Sequence, residues 1–327
     1  METTTALLLG EDLALTVGTR ELPVVGDRDV LIDVQWAGIC GSDLHVLRSG
    51  DWVAYWPATL GHEVVGRVRT SRHPDLEPGD RVVADSRIPT QMVDGQWRSD
   101  RLAKDMQWLG EARPGGFAHA MVLPGDSVFR VPGHLDSVDA VLAEPLAVVM
   151  CAVDQVAVEA PAGVLVLGYG PIGALAHADM SRRWPQARFT VVEPNAQRAA
   201  LAHVQGARVV TSVGDDVFEV VVDAAGYPGS LTAAVEAADH GAAVLLIALA
   251  HAPSTLLPST IVERSLRIVG SVGFDDHHVT DALTALADDP GRFNPIVSHR
   301  LELAEVPAFL AAGGIREANK VLIRCAP

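Results

Sequence analysis

The chain has 327 residues, of which 49% are hydrophobic and 20% are charged, and its formal net charge at pH 7 is −16. This length allows two domains with separate cores, and the composition excludes a disordered protein. A chain this acidic lacks the basic face that nucleic-acid binding requires, so we expect no nucleic-acid partner.

Cysteine usage and hydropathy bear on the compartment. Cys40, Cys151 and Cys325 are the 3 cysteines, an odd number that cannot form a disulfide framework and favours a reducing environment. The N-terminus lacks a basic region followed by a long apolar core, and no apolar run reaches the length of a membrane span. We therefore expect a cytoplasmic protein with no membrane partner.

The chain begins with residue patterns typical of short strands, the clearest being 30–36. Two motifs follow within about 25 residues, the first with Cys40 and Asp43 and the second with His62 and Glu63. A thiolate, an imidazole and carboxylates together indicate a transition-metal site, and this mixture of soft and borderline ligands favours zinc. Taken singly, a cysteine is usually buried packing and a histidine is usually an ordinary surface or core residue.

Three aromatic residues, Trp52, Tyr55 and Trp56, lie between the two groups of candidate ligands. Their rings could stack on the apolar faces of sugars or cyclitols in a substrate cleft. They could equally belong to the core, and the sequence leaves both interpretations open.

A glycine-rich turn follows a run of apolar, partly β-branched residues and leads into an alanine-rich helical pattern. Gly168 allows a tight turn, Gly170 lets the backbone approach a pyrophosphate, and Gly173 lets the helix pack closely on the sheet. Pro171 and Ile172 begin the helix, whose N-terminus favours phosphates. This pattern predicts a dinucleotide site.

The next predicted strand ends in an acidic residue about 20 positions further on, where an acid that binds the ribose hydroxyls is expected. Glu193 occupies that position. Its carboxylate should repel a 2′-phosphate, which favours NAD over NADP, although the nearby Arg198 could accommodate such a phosphate. Apolar runs at 241–249 and 266–272 complete the pattern of a doubly wound parallel sheet with both faces covered.

Several motifs occur in a fixed order: GICGSDLH at 38–45, GHE at 61–63, PGDRV at 78–82, GGFA at 115–118, AEPL at 143–146 and the glycine turn at 168–173. With these motifs the chain resembles the zinc-dependent medium-chain alcohol dehydrogenases over nearly its whole length, and most of all their polyol branch, which includes sorbitol and threonine dehydrogenases. The resemblance implies an α/β protein. Residues 1–147 and 293–327 would form a GroES-like, β-rich catalytic domain, and residues 148–292 a Rossmann NAD-binding domain.

The resemblance also implies a ligand set. Cys40 and His62 would bind zinc directly, together with Glu144, which stands where another branch of the family has a third cysteine. Glu63 would be a further ligand, or a carboxylate that moves in and out as water exchanges. An oxygen in place of a thiolate makes the site harder and the zinc more weakly held. Glu144 could instead be a plain helix N-terminal carboxylate.

By the same resemblance, Asp43 would accept the other ring N–H of His62, and Ser42 and His45 would carry the alcohol proton to solvent. Asp43 could instead be a turn residue and His45 a surface residue of a helix. Lys320 could reach the cofactor pyrophosphate or could be a solvated lysine at the start of a strand. In resembling enzymes a sheet edge pairs across a dimer axis, so we expect a homodimer or a homotetramer.

The segment 85–114 departs from the family pattern because it has none of the four cysteines that bind a structural zinc in many relatives. We therefore predict one catalytic zinc per chain and no structural zinc. Packing of Met92, Trp97, Leu102, Met106 and Trp108 would hold this lobe instead.

The predicted function is a zinc-dependent oxidoreductase that transfers a hydride between NAD(H) and a secondary alcohol or ketone. A polyol, a cyclitol or an amino alcohol would be the substrate. One alternative is a zinc-independent medium-chain reductase of activated double bonds. Another is a non-catalytic NAD(H)-binding protein.

Overall fold

The chain builds one unit, then a second, and returns to the first unit at its C-terminal end. The structure is a computed structural model that describes residues 2–89, 91–93, 96–98, 100–103, 106–250 and 252–326. Contacts between residues divide the chain into Met1–Glu144 with Asp275–Pro327, the first unit, and Pro145–Phe274, the second unit. The domain boundaries predicted after residues 147 and 292 stay predictions beside this division.

The N-terminal part of the first unit is mostly β-structure, as its turn-rich sequence predicts. Its elements are β1 (Thr3–Leu9), β2 (Leu15–Glu21), β3 (Asp29–Gly38), α1 (Gly41–Ser49), β4 (Glu63–Ser71), β5 (Arg81–Ala84), β6 (Arg87–Ile88), β7 (Gln91–Val93), β8 (Gln96–Arg98), β9 (Gln107–Trp108), β10 (Ala120–Pro124), β11 (Val128–Arg130) and α2 (Ser137–Ala140). Helix α3 (Ala143–Asp154) leads into the second unit.

The second unit alternates strands and helices. Its elements are β12 (Gly163–Leu167), α4 (Pro171–Arg183), β13 (Arg188–Val192), α5 (Ala196–Val204), β14 (Arg208–Val210), β15 (Phe218–Asp223), α6 (Ser230–Glu236), β16 (Ala238–Leu246), α7 (Pro258–Glu263) and β17 (Arg267–Gly270). The strands form one parallel sheet in the order β14-β13-β12-β15-β16-β17. This is the strand order of a dinucleotide-binding sheet, so the predicted doubly wound fold is confirmed.

The C-terminal part completes the first unit with α8 (Asp276–Asp288), α9 (Pro290–Phe293), β18 (Val297–Glu302), α10 (Val306–Ala311) and β19 (Lys320–Arg324). Strand β19 inserts beside β3, with Leu322 opposite Gly38, in a sheet ordered β11-β5-β4-β3-β19-β18. The apolar face of this sheet packs into one core that includes Val30, Ile32 and Val34 of β3, all at most 1% exposed. The pairing places the first residue of β19 near the end of β3.

The lobe between β5 and β10 is held to the first unit by a buried ion pair. Arg87 is 1% exposed, and its guanidinium donates to Asp85 at 2.9 and 2.7 Å and to Asp276 at 2.5 Å. Asp276 lies 189 positions further along the chain. Strand β6 pairs with β9, and β7 pairs with β8. The ion pair of Arg87 with Asp276 therefore connects this lobe to α8, and the short strand pairs connect segments within the lobe.

The apolar packing predicted for this lobe is wrong for Leu102, which is 68% exposed. Its neighbour Arg101 instead forms an ion pair with Asp275 at 3.3 Å. Met106 and Trp108 are half-buried. The side chains of Met92 and Trp97 lie outside the described part of the chain.

None of the helices in the described ranges combines the length and the apolar character that crossing a bilayer requires.

Candidate active site

Three predicted metal ligands converge in the first unit. Cys40 lies at the N-terminus of α1, where the partial positive charge of the helix favours an anionic sulfur. His62 immediately precedes β4, and Glu63 is its first residue. One ligand atom from each of the three lies within 4.8 Å of the others. Sulfur, nitrogen and oxygen donors at such spacing are those that zinc takes in proteins, so the residues fit zinc.

Asp43 fixes the two segments that carry these ligands. It is 3% exposed, and its carboxylate accepts hydrogen bonds from the backbone N–H of Cys40 at 2.9 Å and of Gly61 at 3.1 Å. The distance from Asp43 Oδ1 to His62 Nδ1 is 3.7 Å, too long for the hydrogen bond predicted from the sequence. Asp43 therefore acts on His62 through charge and holds the ligand loops through their backbone.

Glu144 faces this cluster from the first turn of α3 and is 6% exposed. It lies outside the group of three ligand atoms within 4.8 Å, yet the charges of His62 and Glu63 both shift its pKa. Burial raises the pKa of Glu144 to about 7, with a further increase from Glu63 and opposing effects of His62, Ser86 and Lys320. Its direct ligation of zinc stays a prediction.

The anions around His62 determine its protonation. Burial alone lowers the pKa of a histidine, but Asp43, Cys40 and Glu144 together raise the pKa of His62 well above its usual range. Burial raises the pKa of the Asp43 carboxyl, and the positive charge of His62 partly opposes this increase. These raised pKa values mean that the metal-free cluster carries protons that a metal ion would displace.

The two residues predicted for proton transfer lie on α1 beside the cluster. Ser42 Oγ is 3.5 Å from His62 Nε2. His45 follows one helical turn later and stacks on Trp52, with ring centroids 4.2 Å apart. Its Nε2 lies 3.4 Å from the exposed carboxylate of Asp51. Ser42 and His45 therefore share one side of the helix, and their roles in proton transfer stay predictions.

The glycine-rich turn of the second unit has the geometry that a pyrophosphate site needs. Gly168 has a φ of +84°, and a Cβ on Gly173 would lie 2.0 Å from the Gly168 carbonyl oxygen. A Cβ on Gly170 would meet nothing within 4 Å, so the backbone faces open space there. Helix α4 begins at Pro171, with Ile172 as its second residue, and directs its N-terminus at this space. The turn fits a dinucleotide.

Glu193 lies beside this turn, directly after β13. It is 7% exposed, and its carboxylate accepts hydrogen bonds from the backbone N–H of Tyr169 at 2.6 Å and of Asn195 at 2.8 Å. Arg198 follows in α5, whose first turn is capped by the Asn195 side chain. The roles of Glu193 and Arg198 at the ribose stay predictions.

Comparison with known proteins agrees with this geometry. Residues 26–133 match the family model of the alcohol dehydrogenase GroES-like domain. The chain is 25% identical over 328 residues to an L-threonine 3-dehydrogenase from Pectobacterium atrosepticum, with coverage of 92% of this chain and 88% of that protein. Alcohol dehydrogenase TADH from Thermus sp. ATN1 superposes with a TM-score of 0.85 at 25% identity, and the match covers 98% of this chain and 99% of that one.

A further solved structure, a zinc-binding dehydrogenase from Sinorhizobium meliloti bound to NADP, gives a TM-score of 0.86 at 26% identity, with coverage of 99% and 100% of the two chains. The chain is thus similar to zinc-type medium-chain alcohol dehydrogenases over nearly its whole length, and residues 26–133 match the model of their GroES-like domain. This confirms the resemblance drawn from the motifs and the predicted pairing of a GroES-like with a Rossmann domain. This similarity and the ligand cluster together support zinc and a nicotinamide cofactor.

Lys320 lies elsewhere than predicted. It is 1% exposed in the first unit, where its ammonium group forms an ion pair with Glu63 and donates a hydrogen bond to the Ile39 carbonyl oxygen at 3.0 Å. The prediction that it contacts the pyrophosphate is wrong, because its ammonium group is buried in the metal cluster and is engaged by Glu63 and by the Ile39 carbonyl oxygen. The alternative of a solvated lysine is wrong as well.

The aromatic residues between the ligand motifs divide into two kinds. Trp52 is 43% exposed beside His45. Tyr55 and Trp56 pack against the core of the first unit. The Tyr55 hydroxyl also donates to the Thr59 carbonyl oxygen at 3.0 Å and accepts from the Thr59 N–H at 3.1 Å. The core interpretation therefore holds for Tyr55 and Trp56, and only Trp52 keeps an accessible ring.

No motif pointed to one further acid, Glu111, whose pKa is shifted by two residues of the metal cluster. Glu111 lies in the turn after β9, and burial raises its pKa to about 6, with a lowering effect of His62 and a raising effect of Asp43. A lone glutamate in a turn rich in glycine and proline matches no metal or catalytic motif. Its position depends on how this turn packs on the loop that carries His62.

Proposed function

We propose that this protein is an NAD-dependent dehydrogenase of secondary alcohols with a single zinc per chain. A polyol, a cyclitol or an amino alcohol is the substrate. The observation that carries the proposal is the convergence of Cys40, His62 and Glu63 in a chain that also holds the dinucleotide turn. The similar L-threonine 3-dehydrogenase acts, by its name, on an amino alcohol.

The residues of the cluster have different roles in alcohol oxidation. Cys40 and His62 hold the metal ion with Glu63, Glu144 or both, and bound zinc supplies a Lewis acid that favours loss of the alcohol proton. Ser42, 3.5 Å from His62 Nε2, accepts that proton, and His45 passes it on toward solvent. The CHOH group becomes C=O while its hydride reduces NAD⁺ to NADH. The reverse reaction uses the same groups in the opposite order.

Glu193 supports the choice of NAD. Its carboxylate lies beside the dinucleotide turn, where it can accept hydrogen bonds from the ribose hydroxyls and repel a 2′-phosphate. The absence of cysteines from 85–114 supports a single zinc. The free Cys40, Cys151 and Cys325 agree with a reducing, cytoplasmic location.

Zinc analysis and a substrate panel test this proposal. We expect one zinc per chain by elemental analysis and cofactor reduction with some secondary alcohols, lost on chelation and restored by zinc. Cys40→Ala should lose the metal and turnover while NAD binding persists, whereas Cys325→Ala, which removes a thiol outside the ligand cluster, should keep the metal and turnover. Activity that survives in a zinc-free enzyme would favour the reductase of activated double bonds. Failure of a broad polyol and amino-alcohol panel would favour a non-catalytic protein.

We also propose that the protein is a homodimer, or a homotetramer built from two such dimers. Strand β17 is an edge of the parallel sheet, and exposed edges tend to pair or to be covered. Large apolar side chains near this edge in the sequence are exposed, namely Leu249, Leu257, Val262 and Val272. Light scattering tests the state, and a mass of 34.6 kDa, that of one chain, would contradict it.

A further inference from the structure

The side chain of Tyr169 is buried beneath the glycine-rich turn of the second unit. Tyr169 lies between Gly168 and Gly170 and is 0% exposed, whereas a Cβ on Gly170 would meet only open space. Tyr169 is therefore the residue that gives this part of the turn a side chain. Because the backbone of glycine adopts many conformations at little cost, the conformation of the turn depends on what holds the Tyr169 side chain.

Two helical segments hold the Tyr169 hydroxyl. It donates a hydrogen bond to Oε1 of Gln205, directly after α5, at 2.5 Å, and it lies 2.7 Å from Nδ1 of His177 on α4. Since the hydroxyl has one proton, which Gln205 accepts, Nδ1 of His177 supplies the proton of the second hydrogen bond. Burial raises the pKa of Tyr169, so the hydroxyl keeps the proton that it donates.

The same network reaches the strand that ends at Glu193. His177 is 2% exposed, and its ring packs against Phe189 of β13 with the ring centroids 4.7 Å apart. The backbone N–H of Tyr169 donates to the carboxylate of Glu193, directly after β13, at 2.6 Å. Tyr169 therefore joins the glycine-rich turn to α4, α5 and β13, the elements that surround the predicted dinucleotide site.

We propose that Tyr169 is a positioning residue for the cofactor, whose hydroxyl holds the glycine-rich turn in its dinucleotide-binding conformation through His177 and Gln205. This inference rests on the proposed function only in taking a nicotinamide dinucleotide as the ligand. A turn that is already held in its binding conformation loses less conformational entropy when the ligand binds, so the ligand dissociates less readily. Tyr169 acts through the backbone and not through contact with the reacting atoms.

Tyr169→Phe removes the hydroxyl and keeps the ring. We expect the Kd of NADH, measured by calorimetry well below the unfolding temperature, to rise about threefold to tenfold, the factor that one net hydrogen bond contributes. ADP-ribose has the pyrophosphate but no nicotinamide, and its Kd should rise by the same factor. In turnover, the KM for NAD should rise while kcat does not fall and the KM for the alcohol stays unchanged.

Tyr55→Phe is the matched control, because it removes a tyrosine hydroxyl that is hydrogen-bonded in the first unit. That hydroxyl donates to the Thr59 carbonyl oxygen at 3.0 Å and accepts from the Thr59 N–H at 3.1 Å. Tyr55→Phe should lower the free energy of unfolding as Tyr169→Phe does, but it should leave the Kd of NADH unchanged. A loss of stability alone would therefore not imitate the expected result.

Gln205→Met tests the same network from its other end. It removes the acceptor of the Tyr169 hydroxyl and should also raise the Kd of NADH. Added to Tyr169→Phe, it should raise that Kd little further, since both changes break the same hydrogen bond. If Tyr169→Phe does not fold, Gln205→Met alone decides, and an unchanged Kd in that variant overturns the inference.

The inference is also overturned if Tyr169→Phe binds NADH and ADP-ribose as tightly as wild type, or if Tyr55→Phe weakens NADH binding equally. Binding needs no turnover, so the measurements separate the two proposals. If the wild-type protein binds NADH but oxidises no alcohol, and Tyr169→Phe weakens that binding, the role of Tyr169 stands and the proposed reaction fails. If alcohols are oxidised with the same KM for NAD in both proteins, the reaction stands and the role of Tyr169 fails. A wild-type protein that binds no nicotinamide dinucleotide overturns both.

Discussion

Lys320 is the buried cation of the metal cluster, and replacing it with methionine tests how much the cluster depends on it. Methionine keeps an unbranched side chain of similar length and removes the ammonium group. Both Lys320 and Glu63 are 1% exposed, so Lys320→Met leaves a buried carboxylate and the Ile39 carbonyl oxygen without their cationic partner. Removing one partner of a buried ion pair costs about 3 to 5 kcal/mol. We expect a loss of that size in the zinc-free protein.

Zinc should reduce this loss because it places positive charge next to the same carboxylate. Denaturant unfolding of wild type and variant, each with and without zinc, measures both effects. Arg324→Met is the matched control, since Arg324 lies on the same strand and pairs with Glu302 at 2.8 Å, with both side chains 50% exposed. An exposed pair contributes about 0 to 1 kcal/mol.

Two results would refute this reasoning. If Lys320→Met costs no more than Arg324→Met in the zinc-free protein, the buried pair does not stabilise the fold. If zinc stabilises wild type and Lys320→Met equally, Lys320 and zinc do not share Glu63. Equal m-values across the variants are needed for these comparisons, because a changed m-value would indicate an altered unfolded or native state.

Two other predictions concern the metal ion and the cofactor. Zinc affinity should rise with pH between about 6 and 8, with proton release measurable by calorimetry in buffers of different ionisation enthalpy, because His62 and Glu144 must lose protons to act as ligands. The folded-state pKa values of both groups lie above their unfolded values, so the stability they contribute to the zinc-free protein is lost as pH rises, through about 7 for Glu144 and above the usual histidine range for His62. A zinc affinity independent of pH would contradict this. Glu193→Gln keeps an acceptor for the Tyr169 N–H but removes the charge, so the ratio of kcat/KM for NADP to that for NAD should rise, and an unchanged ratio would mean that Glu193 is not at the ribose.

The parts of the site that could be predicted are those whose residues lie close together in the sequence. The dinucleotide turn is a strand, a turn and a helix in immediate succession, and its glycines are required by contacts within that one segment. The ligands Cys40, His62 and Glu63 likewise lie in short motifs at the ends of adjacent elements. Their spacing in the sequence therefore carries most of the information about their spacing in the fold.

Contacts between distant segments could not be predicted in this way. Lys320 donates to a carbonyl oxygen 281 positions earlier, and Arg87 pairs with a residue 189 positions later. Each contact exists because a C-terminal element, β19 or α8, returns to the first unit. A charged residue at the start of a strand has the same sequence pattern whether that strand is exposed or inserted beside β3, so only the sheet order decides its role.

The charges of the metal cluster connect folding with metal binding. Before zinc binds, Lys320 compensates Glu63, while the raised pKa of His62 and that of Glu144 show that protons compensate part of the remaining charge. Zinc would displace those protons, and because it would bind the folded cluster, its binding free energy would add to the stability of the first unit.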